Sequence, residues 1–240
     1  MTGGVLGVAD FPLALTIVAW SSLGLGAVCG ALLLVDVVRH PPAMRIMAAV
    51  WPLTALFGGP LWVVMYARWA RAGGAARSRR TPRAVSIAIS TSHCGAGCAL
   101  ADLVVEWLVF AVPALAVAGG LGTLFHDRIF AVWVLELVVA FLVGIAFQYA
   151  AIVPARGLGV AAGVRAAIAA DTASIVAWQC GMYGLMAMLQ LLLLPSLVGG
   201  RASVATPEFW FAMQLAMLAG FAVAYPVNAL LIRSGLKEAM

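Results

Sequence analysis

Residues 128–153 read RIFAVWVLELVVAFLVGIAFQYAAIV. One arginine opens this stretch, and the only other ionisable chain of opposite sign is Glu136. About 20 consecutive apolar residues let a helix cross the hydrocarbon core of a bilayer. A surface helix of a water-soluble domain keeps a polar face, and this segment has none. The segment therefore predicts a membrane-crossing helix. The same pattern recurs along the 240 residues, at about Phe11 to Val38, Ala43 to Tyr66, within Ala84 to Val117, at Thr172 to Pro195 and at Pro207 to Ile232. The expected fold is all-α, an integral membrane bundle of about six transmembrane helices.

Composition says the same. Apolar residues make up 65% and charged residues 10%, and the mean hydropathy is +1.08. A soluble fold cannot hide that much apolar surface. A soluble enzyme, a disulfide scaffold, a disordered chain and a nucleic-acid-binding module are excluded on this ground. Fourteen basic residues against nine acidic give a net charge of +5, but no aromatics alternate with the basic residues as a single-strand binder would require. The bilayer is the expected partner. The expected location is the cell membrane, as a multi-pass protein.

Loop charge sets the expected orientation. With six crossings and an inside N-terminus, Arg68, Arg71, Arg77, Arg79, Arg80, Arg83, Arg156, Arg165, Arg233 and Lys237 fall inside, and Arg39, Arg45, Arg128 and Arg201 outside. Both termini are then cytoplasmic. Met1 to Asp10 carries no basic residue, so the first span reads as retained rather than as a cleaved signal. Arg156 to Ala170 reads as a short interfacial helix. No β-strand alternation and no internal repeat stands out, which weighs against an inverted-repeat transporter. The chain divides into residues 1–80, two helices and a basic loop, and residues 81–240, a four-helix membrane domain.

That second part carries the chemistry. His93-Cys94-Gly95-Ala96-Gly97-Cys98 is followed by Asp102 and Glu106. Steps of four drift slowly around a helix, so Cys94, Cys98, Asp102 and Glu106 form one polar stripe. Each carboxylate costs ~2.5–3.5 kcal/mol at a span's centre, so both should face the interior. Two thiols with an imidazole suit copper or zinc. His93, Cys94, Cys98 and Asp102 are the candidate metal ligands, provided the helix breaks at Gly95 and Gly97 so that the adjacent His93 and Cys94 converge. Two other readings stand beside this one: buried packing thiols and a redox pair, although redox motifs usually separate their cysteines by two residues. Met182, Met186, Met213 and Met217 read as packing.

Glu106, Gln148, Tyr149, Asp171, Tyr183 and Asn228 are supporting polar candidates. Asp171 reads as a helix cap, and Asn228 as a partner for a carbonyl freed by Pro226. Gly144, Gly181 and Gly184 read as close helix contacts. No phosphate-binding loop or zinc-protease motif is present, so no nucleotide cofactor is expected.

The HCGAGC string with Asp102 and Glu106-Trp107 resembles the signature of a prokaryotic membrane family, the domain of unknown function 4396 family. Gly144-Ile145-Ala146-Phe147-Gln148-Tyr149, Gly181-Met182-Tyr183-Gly184 and Tyr225-Pro226-Val227-Asn228 share in the resemblance. It implies a multi-span membrane protein and no particular activity. Function is thus expected among three classes: transition-metal handling or electron transfer, a thiol-redox membrane enzyme using Cys94 and Cys98, or a structural subunit assembled with other membrane proteins.

Overall fold

The computed structural model describes residues 4–7, 10–71 and 81–237. Arg77, Arg79 and Arg80 lie outside them. In chain order the elements are β1 (Gly4–Leu6), α1 (Leu13–Arg39), α2 (Met47–Met65, continued by a π-helical turn Tyr66–Ala70), α3 (Arg83–Ala111), the single turn α4 (Leu115–Ala118), α5 (Arg128–Arg156), α6 (Val160–Ala187, continued by a π-helical stretch Met188–Leu193), α7 (Leu194–Val198), β2 (Gly200–Ala202) and α8 (Pro207–Arg233). Six helices are long and apolar enough to cross a membrane. The long helices match the sequence expectation within a few residues, except α6.

α6 begins at Val160, about three turns before the expected Thr172. No separate interfacial helix covers Arg156 to Ala170. Gly157, left-handed at φ 62°, ends α5. The small residues that follow are good helix formers and continue straight into the apolar part of α6. Asp171 is consequently interior to α6 rather than its cap.

The second expected span is not one straight helix. Trp51 and Tyr66 stack edge-on with ring centroids 5.4 Å apart, whereas a straight helix would separate them by ~22 Å. Gly59 has φ 54° and ψ −140°, outside the helical region and open essentially to glycine alone. Pro60 follows and disfavours helical backbone at the residue before it. The chain reverses there. Residues 47–58 descend along α1, where Gly30 packs on the Pro52 carbonyl and Gly26 on that of Leu56. Residues 60–70 return to the end from which the segment came. At that end Asp36 of α1 accepts hydrogen bonds from the Tyr66 hydroxyl at 2.8 Å and from Arg71 at 2.8 and 2.9 Å.

The remaining path follows from pairings. α3 and α5 are antiparallel, with Arg128 reaching the Val109 carbonyl at 2.6 Å. α5 and α6 are antiparallel, with Trp133 stacked on Tyr183 at 4.8 Å. α6 and α8 are antiparallel, with Asn228 donating to Ser174 at 2.7 Å. α8 runs parallel to α1: Thr16 donates to Glu208, and Ser22 to Gln214 at 2.8 Å, both pairs 192 residues apart. β1 and β2 also pair in parallel beside them, two short strands that sequence alternation does not announce. Five helices thus run the length of the bundle and α2 does not. The start of α1 and the end of α8 consequently lie at opposite ends of the bundle, not at the same end as six lengthwise helices would place them.

One buried cluster joins the two halves of the sequence. Cys29 and Leu33 of α1, Trp51 and Trp62 of α2, Trp178 of α6 and Met213 of α8 belong to it. All four methionines expected to pack do so.

Candidate functional site

α3 is a continuous helix from Arg83 to Ala111, with no break at Gly95 or Gly97. The glycines serve close packing instead. A Cβ on Gly95 would lie 2.2 Å from the Trp178 ring, and one on Gly97 would lie 3.1 Å from the Gly144 Cα. Gly181 similarly admits the α8 backbone, while Gly184 faces open space. Because the helix does not break, His93 and Cys94 point in different directions. His93 packs edge-on to Phe147 of α5, 6.3 Å between ring centroids. Among the described residues no three His, Cys, Asp or Glu side chains are arranged to hold one metal ion.

The predicted stripe is real and faces inward. Cys94, Cys98 and Asp102 are wholly buried and Glu106 nearly so. Cys94 and Cys98 are not joined by a disulfide and their thiols face each other. Across from them, α5 contributes the buried Glu136, within electrostatic reach of Asp102 and Glu106. α6 contributes the buried Gln179, beside Asp102. Both carboxylate oxygens of Asp102 and of Glu136, both ring nitrogens of His93, both amide atoms of Gln179 and Oε1 of Gln148 lack a hydrogen-bond partner among the described residues. A buried polar group left unpaired costs a few kcal/mol, and an unpaired charge far more. So many in one row mark the place where protons, water or a ligand would have to enter.

The row has two ends. Toward the start of α5, Glu106 reaches a cavity of about 240 Å³, also lined by Asp127, Arg128, Gln190, Arg201 and Ser203. Asp127 and Arg201 pair there at 2.7 Å. The π-helical stretch turns Gln190 inward, where its carbonyl accepts from the Ala202 amide at 3.0 Å. Toward the other end Asp171 meets Lys237 at 2.7 Å, with both side chains fully buried. Burial alone would push the Lys237 ammonium down, but Asp171 and the nearby Cys94 hold it above the usual lysine value.

Of the supporting residues, Glu106, Gln148 and Asp171 are buried in the bundle. Tyr183 donates to the Trp133 carbonyl at 2.9 Å. Tyr149 packs beside Gly163. Asn228 bonds Ser174 and the Ala224 carbonyl, tying α8 to α6. The Ala224 carbonyl is not the one that Pro226 frees, which belongs to the residue four before the proline. Sequence reasoning left Gln179 and Glu136 at the margin and missed Lys237 as part of the interior. The signal for Lys237 was its being the chain's only lysine.

An all-helical bundle of membrane-crossing length with a buried polar row defines the class of protein. Residues 85–237 match the family described as Domain of unknown function (DUF4396), and the chain belongs to that family. The match begins in the first turn of α3 and ends on Lys237. It therefore takes in every residue of the row and leaves out α1 and α2. No curated protein and no solved structure matches the chain.

Proposed function

We propose that the protein is a membrane-embedded proton relay, carrying protons along the buried row from the Glu106 cavity toward Asp171. One observation carries this: Asp102 and Glu136 are fully buried, within electrostatic reach of each other and of Glu106, and no basic side chain pairs with either among the described residues. Ionisable groups inside membrane spans characteristically form such relays. A chain of carboxyls can pass a proton without a metal centre, and Gln179, Gln148 and His93 offer further sites along it.

The orientation follows from charge. Arg39, Arg45, Arg68, Arg71, Arg83, Arg156, Arg165, Arg233 and Lys237 lie toward the end of the bundle where α2 begins and ends, whereas Arg128 and Arg201 lie toward the other. By the preference of basic residues for the cytoplasmic side, the α2 end is cytoplasmic and the Glu106 cavity opens outward. The bilayer is the surrounding partner and the cell membrane the location.

The test is proton flux. Purified protein is reconstituted in vesicles holding a trapped pH dye, under an imposed potassium diffusion potential. Flux above that of empty vesicles is expected, falling to the empty-vesicle level in Asp102→Asn and Glu136→Gln. Equal flux in wild type and both variants would sink the relay.

Copper or zinc binding is a second reading, favoured by the contact between the Cys94 and Cys98 thiols, since soft thiolates select such ions. Metal content under reducing conditions, lost in Cys94→Ser and Cys98→Ser, is its test.

A further inference from the structure

Lys237 sits where a lysine is least expected. After α8 the chain turns back on itself. Gly235, at φ 74°, takes the left-handed conformation that permits the reversal. The amides of Leu236 and Lys237 both reach the Leu231 carbonyl, at 3.1 and 3.2 Å. This fold-back aims the side chain into the bundle, where Nζ meets Asp171 Oδ1 at 2.7 Å. The second oxygen of Asp171 has no partner among the described residues, nor does either ring nitrogen of the nearby His93.

A buried ion pair is a poor device for stability alone, because apolar residues of similar volume usually do as well. Here one member belongs to α6 and the other to the short fold-back that follows α8. The acceptors around Asp171 also suit a donor of N–H bonds better than a hard metal ion, which needs six or more oxygens. We infer that Asp171 is a binding site for a small monovalent ammonium-type cation, and that the Lys237 ammonium is its tethered occupant. Withdrawal of the tail frees the seat and opens the cytoplasmic end of the interior. The seat lies at the end of the proposed relay, but its test reads cation binding and not proton flux, so the two can fail separately.

The full-length Lys237→Met variant, which keeps the stem and removes the charge, tests it. Thermal unfolding in detergent is followed with methylammonium chloride and with choline chloride at equal ionic strength. Methylammonium is expected to raise the midpoint of Lys237→Met by several degrees through binding to the folded form. It should move wild type less, because there it must first displace Lys237, and leave the Asp171→Asn/Lys237→Met double variant unmoved. Equal midpoints of Lys237→Met in the two salts would overturn the site. Should that variant not fold, wild type carries the test, because a single lysine gives a single Nζ resonance under lysine-selective ¹⁵N labelling. Methylammonium, and not choline, is expected to shift that resonance toward the value of free lysine. A resonance already at that value, or one the two salts leave alike, overturns the inference.

Discussion

α2 and α3 each carry two glycines in an apolar helix, and the outcomes are opposite. In α3, Gly95 and Gly97 stay helical and let Trp178 and the α5 backbone approach. In α2, Gly59 leaves the helix and the chain reverses. The difference lies in what surrounds them. Gly59 precedes Pro60, whose ring disfavours helical backbone before it. Gly97 has no proline after it, and the space left by its missing side chain is filled by Gly144. A glycine breaks a membrane helix where a neighbour makes helix costly, and joins two helices where a neighbour takes its space.

Topology is the widest break available to this comparison. Reporters at the two termini should read opposite sides, cytoplasmic at the C-terminus and external at the N-terminus. Reporters agreeing on one side would show α2 crossing like the other helices. Next in size is Gly95→Val. Even a single Cβ there lies 2.2 Å from the Trp178 ring, so a branched side chain should destabilise by ~3 kcal/mol through overpacking, measured by thermal unfolding in detergent. An unchanged midpoint would show that α3 and α6 do not pack this closely.

Gly59→Ala should cost about 2 kcal/mol in the same assay, because the turn holds a backbone conformation nearly closed to alanine. A neutral or stabilising result would mean that residues 47–70 form an unbroken helix. The smallest expected effect is that of Ser92→Ala. Ser92 of α3 accepts from Trp62 of the returning arm at 2.9 Å, and the loss should be about 1 kcal/mol. A loss no larger than that of an exposed serine, Ser21→Ala for instance, would separate the two helices energetically.

Hydropathy made the helices legible, and steps of four made the inward stripe of Cys94, Cys98, Asp102 and Glu106 legible. The reversal at Gly59 was not, because a turn inside lipid-length apolar sequence has the same mean hydropathy as a crossing. Missing it set Arg39 and Arg45 apart from Arg68 and Arg71, which lie at the same end of the bundle. The expected break at Gly95 and Gly97 failed for the converse reason: the residues that need those glycines, Trp178 for Gly95 and Gly144 for Gly97, lie far away in sequence. Asp171 looked like a cap because it precedes an apolar run, and only the packed bundle reveals Lys237 as its partner.

The contact of α1 with α8 has a consequence for biogenesis. Thr16 and Glu208 meet across 192 residues, and β1 finds its partner only in β2. α1 must therefore wait until α8 has been synthesised before that face is covered. Closing so long a loop carries an entropic cost that must be met before contacts reward it. A chain interrupted before α8 would present Thr16, Ser22 and the apolar flank of α1 to whatever else is in the membrane, a signal that membrane quality control could read.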